Sequence, residues 1–260
     1  MPRQDREHYY IQAVDNALNV LETLGELDQA VHVTRLSERL GLNKSTVFRL
    51  LATFQRRGYV VQDQGSHRYR LGLSAFETSQ KLLSRMELLN LARPVMAQLL
   101  RQHNETVYLA VYRNREILFL DMQETTQQVK AVGFLGRSFG LTESAAGKLY
   151  LALQAGTDSA VAALRPTGDK ALPLEKELAS IRELGYCLNQ EGFAQGIAAL
   201  AAPVYHPGQG LIGALVLLGP DYRLNRERAV ADLATPLIWA AETVSSRLGS
   251  WKGTTPPDGA

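Results

Sequence analysis

Apolar residues recur first at helical spacing and later at strand-like spacing, and this change of texture predicts the order of elements. From Ile11 to Leu24, Val14, Ala17, Leu18, Leu21 and Leu24 share one side of an amphipathic helix behind a loose polar leader, residues 1–10. A second helix is expected from Thr34 to Leu40. It stops at Gly41, because glycine most cheaply takes the left-handed conformation that closes a helix. His32 stands where Ser or Thr is the usual cap, so that helix start is expected to be less well held. Asn43, a strong N-cap, opens a third helix in which Leu42, Val47, Leu50, Leu51 and Phe54 form one buried stripe. Its other face carries Lys44, Ser45, Thr46, Arg49 and Arg56. Hydrogen-bonding side chains near the start of the second of two helices joined by a Gly turn are what a helix-turn-helix presents to base edges. Tyr59-Val-Val-Gln62 and His67-Arg-Tyr-Arg-Leu71, around the polar turn 63–66, predict a hairpin wing. Two-residue alternation puts Arg68 and Arg70 on one face of it, suited to a phosphate backbone.

After the wing, Ser74-Ala-Phe-Glu77 has a capping-box pattern and opens a linker helix, residues 74–90, with Ala75, Phe76, Leu82, Leu83, Met86 and Leu89 along a seam. That seam either packs within the chain or pairs with the same helix of a second subunit. Pro94 marks the start of another helix, Val95 to about Gln102. Strands are predicted at Thr106–Tyr112, Ile117–Asp121, Gln128–Val132, Ile197–Val204 and Leu211–Leu218. Helices are predicted at Ser144–Gln154 and Leu174–Leu184, the latter stopped by Gly185. Asn225 caps a last helix running to about Leu248, with a bend at Pro236. The fold class is α+β: a winged helix-turn-helix over 11–73, the linker helix, and an antiparallel sheet with flanking helices over 91–252. The tail 253–260, with Pro-Pro and Gly, is expected to be disordered.

Charge sharpens the picture. The 260-residue chain carries a net +2, yet the window Arg35–Arg70 holds eight Lys/Arg against Glu38 and Asp63, which leaves the rest acidic. A local excess of this kind serves phosphate neutralisation, although a solvated basic helix has the same composition. No run approaches 18 uncharged apolar residues and the N-terminus lacks the apolar core of a signal peptide, so a cytoplasmic location and no membrane contact are expected. One cysteine, Cys187, excludes an intrachain disulfide and a multi-cysteine metal site. It is an oxidant sensor, a pocket residue, or a plain semi-buried thiol.

Three stretches carry a resemblance to a known family. The first runs from Val14 to Leu71, with Leu-Asn-Lys-Ser-Thr-Val-Phe-Arg-Leu-Leu-Ala-Thr-Phe at its centre and Tyr-Arg-Leu-Gly at its end. The second is Gly136-Arg-Ser-Phe-Gly-Leu-Thr-Glu-Ser-Ala-Ala-Gly-Lys-Leu-Tyr-Leu-Ala152. The third comprises Gly185-Tyr, Gln190-Glu191, Gly196-Ile-Ala-Ala-Leu-Ala-Ala-Pro-Val204, Gly213-Ala-Leu and Gly219-Pro220. In this order and spacing they resemble the IclR family of bacterial transcriptional regulators over nearly the whole chain. The resemblance implies a GAF-like effector domain behind the winged domain, assembly as a homodimer or a dimer of dimers, and control by a small metabolite. It places an effector pocket between Phe134, Phe139, Ala145 and Ala146 on one side and Cys187, Asn189, Ile197, Ala199, Val216 and Leu218 on the other.

Departures from the family pattern shape the expectation. Asp15-Asn16 stands where the family commonly has an Arg, so the resemblance does not carry a phosphate contact from the first helix over to this chain. Ala199 replaces a common Cys, and Leu215-Val-Leu-Leu218 replaces Ser-like residues. If those positions line the pocket, the effector is aromatic or largely apolar; otherwise Val216 and Leu218 are plain core. The small run Ser144-Ala-Ala-Gly147 at a helix start either leaves room for a ligand, with first-turn N–H groups free to donate, or allows close helix–sheet packing.

Other motifs are set aside. Gly140 to Lys148 lacks the spacing and the Ser/Thr of a phosphate loop, and Ser144 to Lys148 is not a Ser-x-x-Lys pair. Lys148 is expected to meet a carboxylate or a loop carbonyl. His8, His32, His67, His103 and His206 have no ligand-like spacing, so neither a metal nor a cofactor is implied. The expected function is a non-enzymatic regulator that binds a palindromic double-stranded operator and answers to a metabolite of a catabolic pathway. Its alternatives are a DNA-binding scaffold without an effector and an enzyme with a DNA-binding appendage, the latter weakened because no nucleophile, base and orienter occur together.

Overall fold

The computed structural model describes residues 10–27, 29–131, 133–154, 171–190 and 195–250, in two compact units, one ending at Arg85 and one starting at Met86. Nearly all of the leader and the whole of the tail 253–260 lie outside the described residues.

The first unit contains α1 (Gln12–Glu26), α2 (Val33–Leu40), α3 (Lys44–Arg56), the hairpin β1 (Val60–Gln62) and β2 (Tyr69–Leu71), and α4 (Leu73–Leu83). Val20, Leu24, Val31, Leu36, Val47, Leu51, Val60 and Tyr69 form its core. Gly41 closes α2 at φ 64°, its N–H donating to the Ser37 carbonyl, while the Ser37 hydroxyl donates to the Leu42 carbonyl at 2.6 Å. The turn between α2 and α3 is thus fixed by backbone groups that the helix end leaves over. Val31 and Tyr69 exchange both backbone hydrogen bonds, at 2.9 and 2.7 Å, which ties the segment before α2 to the wing.

Three local expectations change here. Asn43 occupies the cap position of α3, but its side chain makes no capping bond; its carbonyl accepts the Thr46 and Val47 N–H groups instead. The capping box at Ser74 is not formed, because Gly72 caps α4 and Ser74 sits inside the first turn with its N–H on the Gly58 carbonyl. On α1 the buried face is Val20, Thr23 and Leu24, whereas Val14 and Leu18 are exposed. That helix carries two apolar stripes, and the core takes only one.

The linker helix over 74–90 is not continuous. α4 ends at Leu83 with no buried residue, and α5 (Glu87–His103) begins after 84–86 and belongs to the second unit, where it buries Leu89, Ala92, Val95, Met96 and Leu99. Pro94 does not start a helix but sits inside α5. Burial of Leu89, Val95, Met96 and Leu99, each worth about 1.5–3 kcal/mol when fully buried, outweighs the roughly 3 kcal/mol cost of an interior proline.

The second unit continues with β3 (Thr106–Arg113), β4 (Glu116–Gln123), β5 (Ser138–Gly140), α6 (Ala145–Leu153), α7 (Ala171–Leu184), β6 (Cys187–Asn189), β7 (Ile197–His206) and β8 (Gly210–Pro220). It ends with α8 (Arg226–Arg228), a π-helical turn Ala229–Leu233, and α9 (Ala234–Arg247). All pairings are antiparallel, in the order β5-β4-β3-β8-β7-β6. Asn114 and Arg115, both at positive φ, make the two-residue turn that matches the twist of the β3–β4 hairpin. Helices contact the sheet from α5 and α9 as well as from α6, so β3, β7 and β8 are buried almost throughout and read as continuous apolar runs rather than alternating ones.

The strand expected at Gln128–Val132 is absent: residues 128–131 are irregular, and Val132 lies outside the described residues. Val129 instead gives its carbonyl to Arg223 at 3.0 Å. Strands β5 and β6 are only three residues each, too short for alternation to register. Asn225 caps α8 by accepting the Arg228 N–H at 2.9 Å. Pro236, where a bend is expected, lies in the first turn of α9, directly after the π-helical turn Ala229–Leu233.

Candidate functional site

The polar face of α3 is open to solvent. Lys44, Ser45, Arg49 and Arg56 are exposed and Thr46 is half-buried, while Val47 and Leu51 face the core. Among the described residues Lys44, Arg49 and Arg56 form no ion pair, so their charges are available to a polyanion. On the wing Arg70 is exposed opposite Val61, and its charge, behind hydrogen bonds from Ser66, helps hold the Asp63 carboxyl below its usual range. Arg68 is also exposed but its Nε donates to His32 Nε2 at 3.3 Å, so the two wing arginines are not equivalent.

In the second unit, strand register brings the effector candidates together. Met122, Tyr108, Val216, Ala201 and Cys187 stand opposite one another across five strands, and Leu218, Ala199 and Asn189 form the next row. Ala145 and Ala146 of α6 join Phe134, Cys187, Ala199, Val216 and Leu218 in one buried cluster, with Phe139 and Ile197 packed against it. Phe119, Phe134 and Phe139 make an aromatic wall, their centroids 5.5–6.3 Å apart, within the preferred range for ring pairs.

Asn189 is buried and bonded, its Nδ2 donating to the Glu143 carbonyl at 2.7 Å and its Oδ1 accepting from Lys148 Nζ at 3.2 Å. Lys148 also pairs with Glu177 at 2.8 Å, which is the carboxylate contact expected of it. A ligand contact from Asn189 must therefore use its second N–H or the second lone pair of Oδ1. Burial, more than the nearby Glu177, pushes the Cys187 thiol up to about 12. It stays protonated and unreactive at neutral pH, which favours a pocket or packing role over oxidant sensing.

The small residues at the α6 start divide between two roles. A Cβ on Gly147 would lie 2.4 Å from the Leu141 carbonyl oxygen, so this glycine allows close packing. The Ser144 hydroxyl takes the Gly147 N–H at 3.0 Å, which removes one first-turn donor from any ligand. Among the described residues no cluster of His, Cys, Asp or Glu could hold a metal, and no helix is long and apolar enough to cross a membrane.

Comparison with known proteins bears on both halves of the chain. The IclR helix-turn-helix domain matches residues 13–64, and the family described as bacterial transcriptional regulator IclR C-terminal matches residues 80–246. The chain belongs to the IclR family. It is similar to the acetate operon repressor of Salmonella typhimurium, 29% identical over 250 residues, covering 92% of this chain and 90% of that protein. Its fold matches an IclR transcriptional regulator from Alicyclobacillus acidocaldarius with a TM-score of 0.80 at 23% identity, covering 93% and 100% of the two chains. It also matches an IclR homolog from Microbacterium hydrocarbonoxydans, solved as a complex with 4-hydroxybenzoate, with a TM-score of 0.77 at 22% identity and 92% and 99% coverage. The protein is a DNA-binding transcriptional regulator, not an enzyme.

Two positions in this IclR-family chain escape the sequence patterns. Phe48 is 56% exposed on the α3 face shared with Ser45 and Arg49, and its exclusion from the apolar stripe of that helix was the available signal. Tyr108 lies at the centre of the effector-side cluster, but a strand buried on both faces gives no alternation to pick it out. A separate groove of about 1150 Å³ is lined by α5 and α9 residues such as Gln98, Trp239 and Glu242. None of the ten effector candidates lines it, and the aromatic cluster remains the candidate ligand site.

Proposed function

We propose that this protein is a ligand-responsive regulator whose winged unit reads a palindromic operator in the cytoplasm and whose second unit alters operator binding when a small, largely apolar or aromatic metabolite occupies the α6–sheet cluster. The observation that carries this reading is the convergence of Phe134, Phe139, Ala145, Ala146 and the rows from β6, β7 and β8 on one buried aromatic-walled site. A mostly apolar lining with few polar groups is what small-molecule sites commonly use. The homolog solved with 4-hydroxybenzoate supports an aromatic effector, and a catabolic operon is the natural target of such a response. The test is operator binding by mobility shift, with thermal melting, against a panel of aromatic acids and phenols. A specific ligand raises stability once its concentration exceeds its dissociation constant, by about 2.7 kcal/mol at a hundredfold excess.

The close packing at Gly147 favours a second reading, a regulator with a filled core and no effector. Ala146→Leu separates the two. In a ligand site the larger side chain abolishes the metabolite's effect on operator release and leaves the protein folded and bound to DNA. In a filled core it costs about 1–3 kcal/mol of stability with no selective loss.

A homodimeric assembly is supported by what the first unit leaves uncovered: Ile11 just before α1, Val14 and Leu18 on α1, and Leu73, Phe76 and Leu82 on α4 are all more than half exposed. Such stripes suit a second copy of the chain, as an operator dyad requires. Phe76→Glu with Leu82→Glu shifts the sedimentation of the protein toward monomer and weakens operator binding; an unchanged sedimentation profile removes α4 from the interface.

A further inference from the structure

We propose that the Tyr108 hydroxyl is the specificity-determining polar contact of the candidate effector site, and that it selects an aromatic ligand bearing a neutral oxygen substituent such as a phenolic hydroxyl. This inference rests on the effector-site reading above. Tyr108 is fully buried in β3, with Val216 beside it on β8 and Met122 on β4. Its ring stands edge-on to Phe119 at 5.2 Å and Phe134 at 6.3 Å, so packing fixes where the hydroxyl points. Among the described residues its Oη is the only buried side-chain nitrogen or oxygen without a hydrogen-bond partner.

That deficit carries the assignment. Buried polar groups are bonded in the great majority of cases, and an unmet hydroxyl carries a desolvation cost that nothing in the protein offsets. Phenylalanine would fill the same space without this cost, so the hydroxyl has a use that the protein alone does not supply. A ligand oxygen placed against it removes the deficit, and an analogue lacking that oxygen leaves it standing; this is the arrangement by which a site discriminates most strongly. The hydroxyl stays neutral. Burial, assisted by the negative charge of Glu124, pushes it up to about 12, so it both donates and accepts at physiological pH. Its neighbours in the cluster, Phe119, Phe134, Met122 and Val216, carry no cation to compensate a buried carboxylate, which assigns Tyr108 to a hydroxyl or carbonyl rather than a carboxylate.

The test is calorimetric titration of the full-length wild type and Tyr108→Phe with 4-hydroxybenzoate and benzoate, alongside melting of both proteins without ligand. The wild type is expected to prefer 4-hydroxybenzoate about tenfold, and the variant to lose that preference by weakening 4-hydroxybenzoate while benzoate binds as before. Without ligand the variant melts at or above the wild-type temperature, since it loses a cost and no bond. A preference retained by the variant, or none in the wild type, overturns the inference and leaves the effector site standing. A clear drop in the variant's melting temperature also overturns it, because the hydroxyl is then already bonded, for instance to a trapped water. Failure of the wild type to bind either probe overturns both this inference and the aromatic effector.

Discussion

Glu105→Ala is expected to lower the stability of the second unit by about 3 kcal/mol, measured as a shift of the denaturant midpoint with an unchanged slope. Glu105 is fully buried and its carboxylate is surrounded by cations: Arg223 Nε and Nη2 lie at 2.7 and 2.9 Å and Arg228 Nη1 at 2.7 Å. Removing one member of a buried ionic group leaves the others desolvated without compensation, and typically costs about 3–5 kcal/mol. The Arg223 and Arg228 side chains are 14% and 30% exposed, so water recovers part of the loss and the lower end of that range applies. Through Arg223 the triad also holds the Val129 carbonyl. Glu105→Gln keeps the shape and some hydrogen bonds, and its cost should fall between wild type and alanine. A loss below about 1 kcal/mol for Glu105→Ala would show that the arginines find other partners.

How much of this was legible depended on how far apart the responsible groups lie in the chain. Gly41, the α3 stripe and the Asn225 cap rest on neighbours within a few residues, and spacing alone located them. The effector-side cluster joins β3, β6, β7, β8 and α6, and only the family resemblance gathered those residues, since nothing in the spacing of Cys187 and Val216 says that they share a row. The misses have the same origin. Pro94 looks like a helix start until the buried face of α5 is known, and 128–132 looks like a strand until Arg223, some ninety residues later, takes the Val129 carbonyl. Ser74 fits a capping box, yet the Gly58 carbonyl captures its N–H and the helix starts earlier, capped by Gly72.

On the DNA side, Arg49→Ala should weaken operator binding by about 1–3 kcal/mol, roughly five- to 150-fold, and weaken binding to random DNA far less. Arg49 is exposed, free of ion pairs among the described residues, and one turn after Ser45 on the open face of α3, a position from which a guanidinium can address the O6 and N7 of a guanine. The wing acts on a different part of the duplex. Arg70 is exposed on β2, in the wing rather than on α3, so Arg70→Ala should lower affinity for all sequences and flatten the salt dependence by about 0.9 for each phosphate no longer neutralised. Arg68→Ala should do the same more weakly, because its Nε is engaged by His32 and less of its side chain is free to reach a phosphate. Titrations of operator and random DNA at several salt concentrations separate the two roles: a base contact changes the ratio of the two affinities, whereas a phosphate contact changes the slope of both. Equal effects of all three substitutions on operator and random DNA would mean that α3 does not read bases through Arg49, and would move the search for the specific contact to its exposed neighbours Ser45 and Phe48.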